Sequence, residues 1–459
     1  MRCEGRILRV VRASVREDVL AFLDSPVSKS LVAENLLIDS LVLSPAEGRA
    51  LIPDIDGSEP PPLVLEHPAI PFPSFPYEWC PEMLLAAGRL TLSIALRLLH
   101  DGLGLKDASA YNVLFRWEKP VFVDLLSLER RSPGDSRWLP YAQFQRNFNL
   151  PLLASRYYGL NLAQAFLTYR DGLEPESLYR LVRPIRKLLP PFLGLVSLPT
   201  WLGRRRGGPH VSVYSPPREV GADKARFIVG ALLRQLQRQL EAVRPLKSRV
   251  SAWSGYMETK SYSERAFLAK DTFVQEALVR ERPQRVLDIG CNTGHFSLIA
   301  ARHGADVVAI DTDPVAVGHL YAAAVPASLH VLPLVIDIAR PSPGLGWRNQ
   351  EQRSFVERAQ GGFDMVLALA VLHHLLVTER IPLDDVLSLF AELTRKTVIV
   401  EFVAPEDPMF RRLSRGRDHL FRDLTRDTFE KTCRRYFHIV QSVGPVDETR
   451  WLYLLGRGG

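Results

Sequence analysis

Three carboxylates recur at comparable places in the second half of this sequence. Asp288 lies near the end of the apolar run "RVLDIG", Asp311 closes "DVVAID", and Asp337 lies near the end of "LHVLPLVIDI". After the first, the chain turns through "GCNTG", with Gly290 and Gly294 bracketing Cys291 and Asn292. An acid at a strand end can grip a pair of sugar hydroxyls. His373 and His374 follow the run "FDMVLALA", and Glu401 stands in "VIVEFV". Either imidazole could act as a general base, because it titrates near neutrality; the alternative is that one of them packs or caps the next helix. Glu401 could orient an acceptor hydroxyl or amine, or be a strand-end acid exposed to water.

These residues need a frame that carries successive strand ends to one edge. The apolar runs at 285–290, 306–311, 329–338, 363–370 and 396–403 predict five strands. Helices are predicted over 295–304, 314–324, 382–394 and 425–436, and short strands near 437–442 and 451–455. Such alternation predicts an α/β fold: a doubly wound, Rossmann-like parallel sheet ending in an antiparallel pair at one edge. The sheet domain spans 246–459, with a lead-in helix in "SERAFLAKDTFVQEALVRE". Residues 223–245 predict one amphipathic linking helix ended by Pro245, and 1–222 a separate N-terminal α+β domain.

In such a sheet, ligands bind beyond the carboxyl ends of the strands. A dinucleotide needs a central glycine so that backbone can approach its pyrophosphate, and Asn292 occupies that place. Gly-Lys-Ser/Thr does not occur, which excludes a phosphate-cradling P-loop. Gly290 and Gly294 can still make a sharp turn. A ligand with an adenosine, no phosphate and a charged tail meets all three acids, and S-adenosylmethionine is such a ligand.

Residues 284–404 resemble the class I S-adenosylmethionine-dependent methyltransferases. "VLDIGCNTG" is similar to their first motif, "VVAIDTDP" to the second, "LVIDI" to the third and "FDMVLALAVLHHL" to the fourth. The resemblance implies that Asp288, Gly290 and Gly294, with Cys291 and Asn292, hold the methionine part. It implies that Asp311 binds the ribose, that Asp337 with Ile338 flanks the adenine, and that Thr312 and Leu369 also meet the cofactor. Tyr262 would close over the cofactor or simply pack. The fourth motif carries no Asp/Asn-Pro-Pro-aromatic sequence of the kind that serves amine methylation. Its apolar end with histidines implies a small-molecule acceptor methylated at oxygen or carbon. Over most of its length, through "LKDASAYNVLF", "WSGY", "SYSE" and "EFVAPEDPM", the chain resembles a bacterial two-part family related to a nodulation-associated methyltransferase.

In the first half, Asp107, Asn112 and Asp124 have a D-x-x-x-x-N…D spacing that resembles the catalytic and metal loops of the kinase-like fold. Leu105 replaces the usual histidine, "LLS" follows Asp124, and Lys29 is the only lysine in residues 1–75. The expectation is a kinase-like remnant that binds substrate or supports the other domain. An active phosphotransferase, or an unrelated fold in which these acids cap turns, stays open.

Of 459 residues, 46% are apolar and 24% charged, as in globular domains, and the length calls for two or three cores. The net charge of +7 is uneven: residues 151–250 hold 17 Lys/Arg against 6 Asp/Glu. The densest part, "GRRRGGPH" (203–210), lacks interleaved stacking aromatics, which argues against nucleic acid as a partner. The four cysteines form no metal knuckle or redox pair in sequence, which favours a reducing cytoplasm and no metal site. The apolar stretch 188–203 is too short and proline-rich to span a bilayer and is expected as a buried connector. The expected activity is methyl transfer to a small-molecule or carbohydrate-like acceptor. The alternatives are a bifunctional kinase–methyltransferase and a non-catalytic module that binds the cofactor. Oligomeric state is not legible.

Overall fold

Val286, Leu287 and Ile289 are all buried, so the run containing them must be covered on both faces. In the computed structural model it is the strand β1 (Arg285–Ile289). The structure describes residues 2–3, 5–52, 62–205, 220–246 and 264–458. Its contacts divide the chain into two compact units, Met1–Tyr77 with Pro81–Lys247, and Glu78–Cys80 with Ser248–Gly459.

The second unit carries seven strands. After β1 come β2 (Asp306–Asp311), β3 (Val331–Val335), β4 (Phe363–Ala368), β5 (Thr394–Val403), β6 (Phe437–Val443) and β7 (Arg450–Arg457). Their order is β3-β2-β1-β4-β5-β7-β6. The first five pair in parallel, while β7 runs antiparallel to β5 and to β6. The expected doubly wound sheet with its antiparallel edge is therefore present. Strand order reverses between β1 and β4, and a crevice at that reversal is where an open α/β sheet takes a ligand. At one margin β3 contains Pro333, opposite Ala309 of β2. At the other, the β6–β7 register shifts between Ile439 and Gln441.

Helix Glu264–Glu281 leads into the sheet, as expected. Ala266, Phe273, Val274 and Ala277 form its buried stripe, and Phe273, Val274 and Ala277 join the core cluster that holds Val286, Val307 and Leu367. Helix Pro314–Ala327 starts with Asp313 accepting a hydrogen bond from the Val315 amide at 2.9 Å. Three short helices of this unit went unread in the sequence: Phe355–Ala359, Leu372–Val377, which carries both histidines, and Pro408–Ser414. Five to seven residues are too few to show a helical period.

The first unit contains a four-stranded antiparallel sheet ordered Arg2–Cys3, Arg6–Val11, Leu63–His67, Leu41–Val42. Its longest buried helix is Pro81–His100, long and apolar enough to cross a membrane but 67% buried inside the protein. Helix Ala222–Ala242, expected as a linker, packs on Pro81–His100 and belongs to this unit. Leu240 lies against Gly88, where an added Cβ would come within 3.2 Å of it. The stretch 188–203 is a connector only half as buried as expected. Leu195 and Val196 are enclosed, whereas Leu188, Leu189, Leu198 and Leu202 are exposed. The basic segment from Arg206 onward lies outside the described residues.

The acids singled out in this unit are engaged locally. The Ser109 amide donates to Asp107 Oδ1 at 2.8 Å, and Asn112 Nδ2 donates to Ser127 Oγ at 3.0 Å. Asp124 is ion-paired with Arg9 and accepts from the Ser127 hydroxyl.

Candidate active site

The loop after β1 is fixed by backbone before any side chain is considered. Gly290 has φ +72°, and its amide and that of Cys291 donate to Ile310 O at 2.9 and 3.0 Å, stitching the loop to β2. Gly294, at φ +82°, precedes helix His295–Arg302, and a Cβ there would sit 2.2 Å from Leu320 Cδ1. Asn292 also has positive φ (+51°), a conformation that asparagine tolerates better than most residues. The position that a dinucleotide site gives to a second glycine is thus filled without replacing its backbone geometry. The Asn292 amide donates to Asp311 Oδ2 at 2.8 Å, which ties the loop to the acid ending β2.

Beyond the strand ends lies a cleft of about 450 Å³. Asp288, Gly290, Cys291 and Asn292 line it from the first strand and loop. Asp311 and Thr312 line it from the end of β2, Asp337 and Ile338 from beyond β3, and Leu369 from beyond β4. Gly294 is not part of the lining; it shapes the loop from behind, against Leu320. Tyr262 lies outside the described residues.

The acids differ in electrostatic state. Asp288 is 3% exposed, and burial pushes its carboxyl up to about 6, against the opposing hydrogen bond from Ser297 Oγ. Burial also raises Asp311, while the amides of Asp313 and Asn292 favour its charged form. Asp337 accepts from the Ala339 amide at 2.9 Å and pairs with Arg340 at 2.8 Å.

The structure separates the two histidines. His374 lines the cleft, and burial lowers its pKa, which favours the neutral ring. His373 does not line it. It is 2% exposed, its Nδ1 has no hydrogen-bond partner among the described residues, and burial, with His374 beside it, lowers its pKa to about 3. Of the two rings only that of His374 reaches the cleft, because neighbouring residues on a helix point about 100° apart.

Glu401 corrects both readings made of it. It is fully buried, neither exposed at the rim nor free to meet an acceptor. Lys270 Nζ donates to it at 2.6 Å, and Arg450 approaches at 3.5 Å while also binding Asp407 at 2.7 Å. A buried line of charge, Lys270–Glu401–Arg450–Asp407, therefore runs from the cleft through β5 to β7. Lys270 lines the cleft and was missed. The signal was present: it occupies the buried stripe of its helix, four residues after Ala266 and three before Phe273. His295 was also missed; it lines the cleft, with Nε2 2.6 Å from Asp271 Oδ1.

The cleft fits S-adenosylmethionine on its own chemistry. Its two long basic side chains are both held by carboxylates, Lys270 by Glu401 and Arg340 by Asp337 and Glu379. Among the described residues that leaves no cationic cradle for a pyrophosphate, while Asp288 and Asp311 suit a cationic tail and a hydroxyl pair.

Residues 262–441 match the family described as a methyltransferase domain. The nodulation protein NoeA of Rhizobium meliloti (strain 1021) is 30% identical over 399 residues, 86% of this chain and 82% of that protein. Among solved structures, the N-methyltransferase NodS from Bradyrhizobium japonicum WM9 is similar at 17% identity and a TM-score of 0.32, over 43% of this chain and 99% of that one. Magnesium protoporphyrin IX methyltransferase from Synechocystis PCC 6803 is similar at 20% identity and 0.31, over 42% and 84%. The bifunctional kinase-methyltransferase WbdD is similar at 22% and 0.29, over 42% and 40%. The chain belongs to the family of nodulation protein NoeA, and it is an S-adenosylmethionine-dependent methyltransferase whose methyltransferase domain is its C-terminal half.

Proposed function

We propose that the protein methylates an oxygen or carbon of a small-molecule or carbohydrate-like acceptor, with His374 as the proton acceptor. The observation that carries this reading is the place of His374 in the wall of the cleft, just beyond β4. S-adenosylmethionine, when bound, supplies a methyl group already activated by a positively charged sulfur, to which the bond electrons return on transfer. The protein's part is alignment and proton management. Asp311 and the Asn292 amide, already hydrogen-bonded to each other, hold the ribose end of the cleft. Asp288 and Lys270 set the charge at its opposite, methionine end. His374 takes the proton that the acceptor atom gives up, and the apolar lining at Ile338 and Leu369 keeps water from competing.

The test is incubation of the full chain with methyl-labelled cofactor and fractionated cell extract, followed by mass identification of the labelled product. His374→Asn should lower turnover far more than cofactor affinity. A product methylated on nitrogen, or an unaffected His374→Asn variant, would replace this reading. Cofactor binding with no labelled product in any fraction would favour a non-catalytic binding module.

A further inference from the structure

A second cavity, of about 550 Å³, opens in the methyltransferase unit beside the end of β5. It is lined by the rings of Phe402, Phe421 and Trp451 and by Arg411, Arg422 and Arg426. Nothing assigned to the cofactor cleft belongs to it.

Its lining carries three arginines and two acids. Arg426 is committed: it donates to Tyr453 Oη and Glu430 at 2.9 Å and lies over the Trp451 ring. Arg411 and Arg422 make no ion pair among the described residues. Two acids share the lining, Glu406 and Asp418, and Asp418 accepts from the Ser414 hydroxyl. The segment 408–426 that forms the rim holds six arginines against two aspartates. Two uncommitted guanidiniums beside an aromatic wall suit a planar anion, because the guanidinium fork matches a carboxylate or phosphate two bonds at a time.

The cavity is also built into the machinery of the first cleft. Helix Pro408–Ser414, which bears Arg411, packs on helix Leu372–Val377, which bears His374. Asp407 starts the former helix by accepting from the Met409 amide at 2.8 Å, and it holds Arg450, the neighbour of Trp451. Through Arg450 and Glu401 the same charge line reaches Lys270 in the cofactor cleft. The two cavities therefore share one edge of the sheet and one rigid set of supports.

We propose that this second cavity receives the anionic part of the methyl acceptor, a carboxylate or phosphate carried on a ring that rests against Phe402, Phe421 and Trp451. The proposal rests on the methyl-transfer reading above and gives it a substrate class: an anionic small molecule.

The test uses the full chain saturated with S-adenosylhomocysteine, and benzoate, phenyl phosphate and benzyl alcohol as probes in calorimetric titrations. One or both anions should bind at least about tenfold more tightly than the alcohol, and which does so separates carboxylate from phosphate recognition. Arg411→Gln with Arg422→Gln should erase the preference while cofactor affinity stays within about twofold, and the corresponding double lysine variant should keep part of it. In the extract assay, the labelled product should be retained on an anion exchanger, and its yield should fall at least about tenfold in the double glutamine variant. Equal binding of anions and alcohol, label only in unretained or macromolecular fractions, or a double variant that labels like the parent would overturn the proposal. Anion binding that the double variant loses, with no product labelled in any fraction, would uphold the anion site and remove the methyl-transfer reading instead.

Discussion

Lys270 and Glu401 meet at 2.6 Å in the interior of the methyltransferase unit, one on the lead-in helix and the other near the carboxyl end of β5. They are 131 residues apart in sequence. Neither has access to enough water to stand alone, and Arg450 shares the same carboxylate. Glu401→Ala would remove the carboxylate that holds Lys270 in the core, while Arg450 keeps Asp407, and the expected loss of folding stability is about 3–5 kcal/mol. Denaturant unfolding measures it; a midpoint close to that of the parent would show that the pair is not a structural tie.

Asp311 offers both oxygens to backbone amides, of Asn292 and Asp313, and lines the cleft. Asp311→Ala should weaken S-adenosylmethionine and S-adenosylhomocysteine binding by about 1–3 kcal/mol, through lost charge-assisted hydrogen bonds. Titration calorimetry on a folded variant decides, with NAD as the ligand expected not to bind. Unchanged affinity would exclude Asp311 from the ribose site.

The raised pKa of Asp288 has a sign that can be read. Its folded value, about 6, lies above its ordinary 3.8, so proton uptake between those values favours the folded, ligand-free protein. That stabilisation is complete below about pH 3.8 and is lost as pH rises through about 6. A cationic methionine tail needs the opposite, charged form. Cofactor affinity should therefore fall as pH is lowered through about 6, and Asp288→Asn should flatten that dependence. A parallel pH slope in the variant would assign the effect to another group.

His373 behaves in the reverse sense. Its folded pKa, about 3, lies below the usual 6.5, so it stabilises the fold above pH 6.5 and that contribution is lost as pH falls toward 3. His373→Asn should alter acid stability, while His374→Asn should cut turnover by about a hundredfold or more, the usual scale of a lost general base. Full activity in the His374 variant would end the base assignment.

In the N-terminal unit the expectation is a site without phosphoryl transfer. Arg9 already neutralises Asp124, the acid that a kinase-like reading would give to magnesium. ATP consumption should stay at background in the parent chain and in Asp107→Asn and Asp124→Asn. Magnesium-dependent turnover abolished by both substitutions would instead make the protein a kinase and a methyltransferase together.

What the sequence made legible was periodic or punctuated. The five parallel strands and the Gly290–Gly294 turn were readable because burial on both faces leaves continuous apolar runs and because sharp turns select glycine. The acids Asp288, Asp311 and Asp337 were readable because strand ends are marked. The roles of His373 and His374 were not, since the difference lies in how a six-residue helix is rotated. Glu401 misled because its two partners, Lys270 and Arg450, come from a distant helix and from an antiparallel strand; only tertiary structure brings three such charges together. The second cavity escaped for the same reason, being assembled from β5, β7 and the segment between them.

Pro333 and the register shift in β6 bear on assembly. A proline at the outer margin of β3 cannot offer the full row of amide donors that an incoming strand requires, and the irregularity between Ile439 and Gln441 interrupts the ladder at the opposite margin. Both margins thus carry a feature that disfavours pairing with a further strand. Continuing the sheet from one copy of this chain into another would have to accommodate both irregularities.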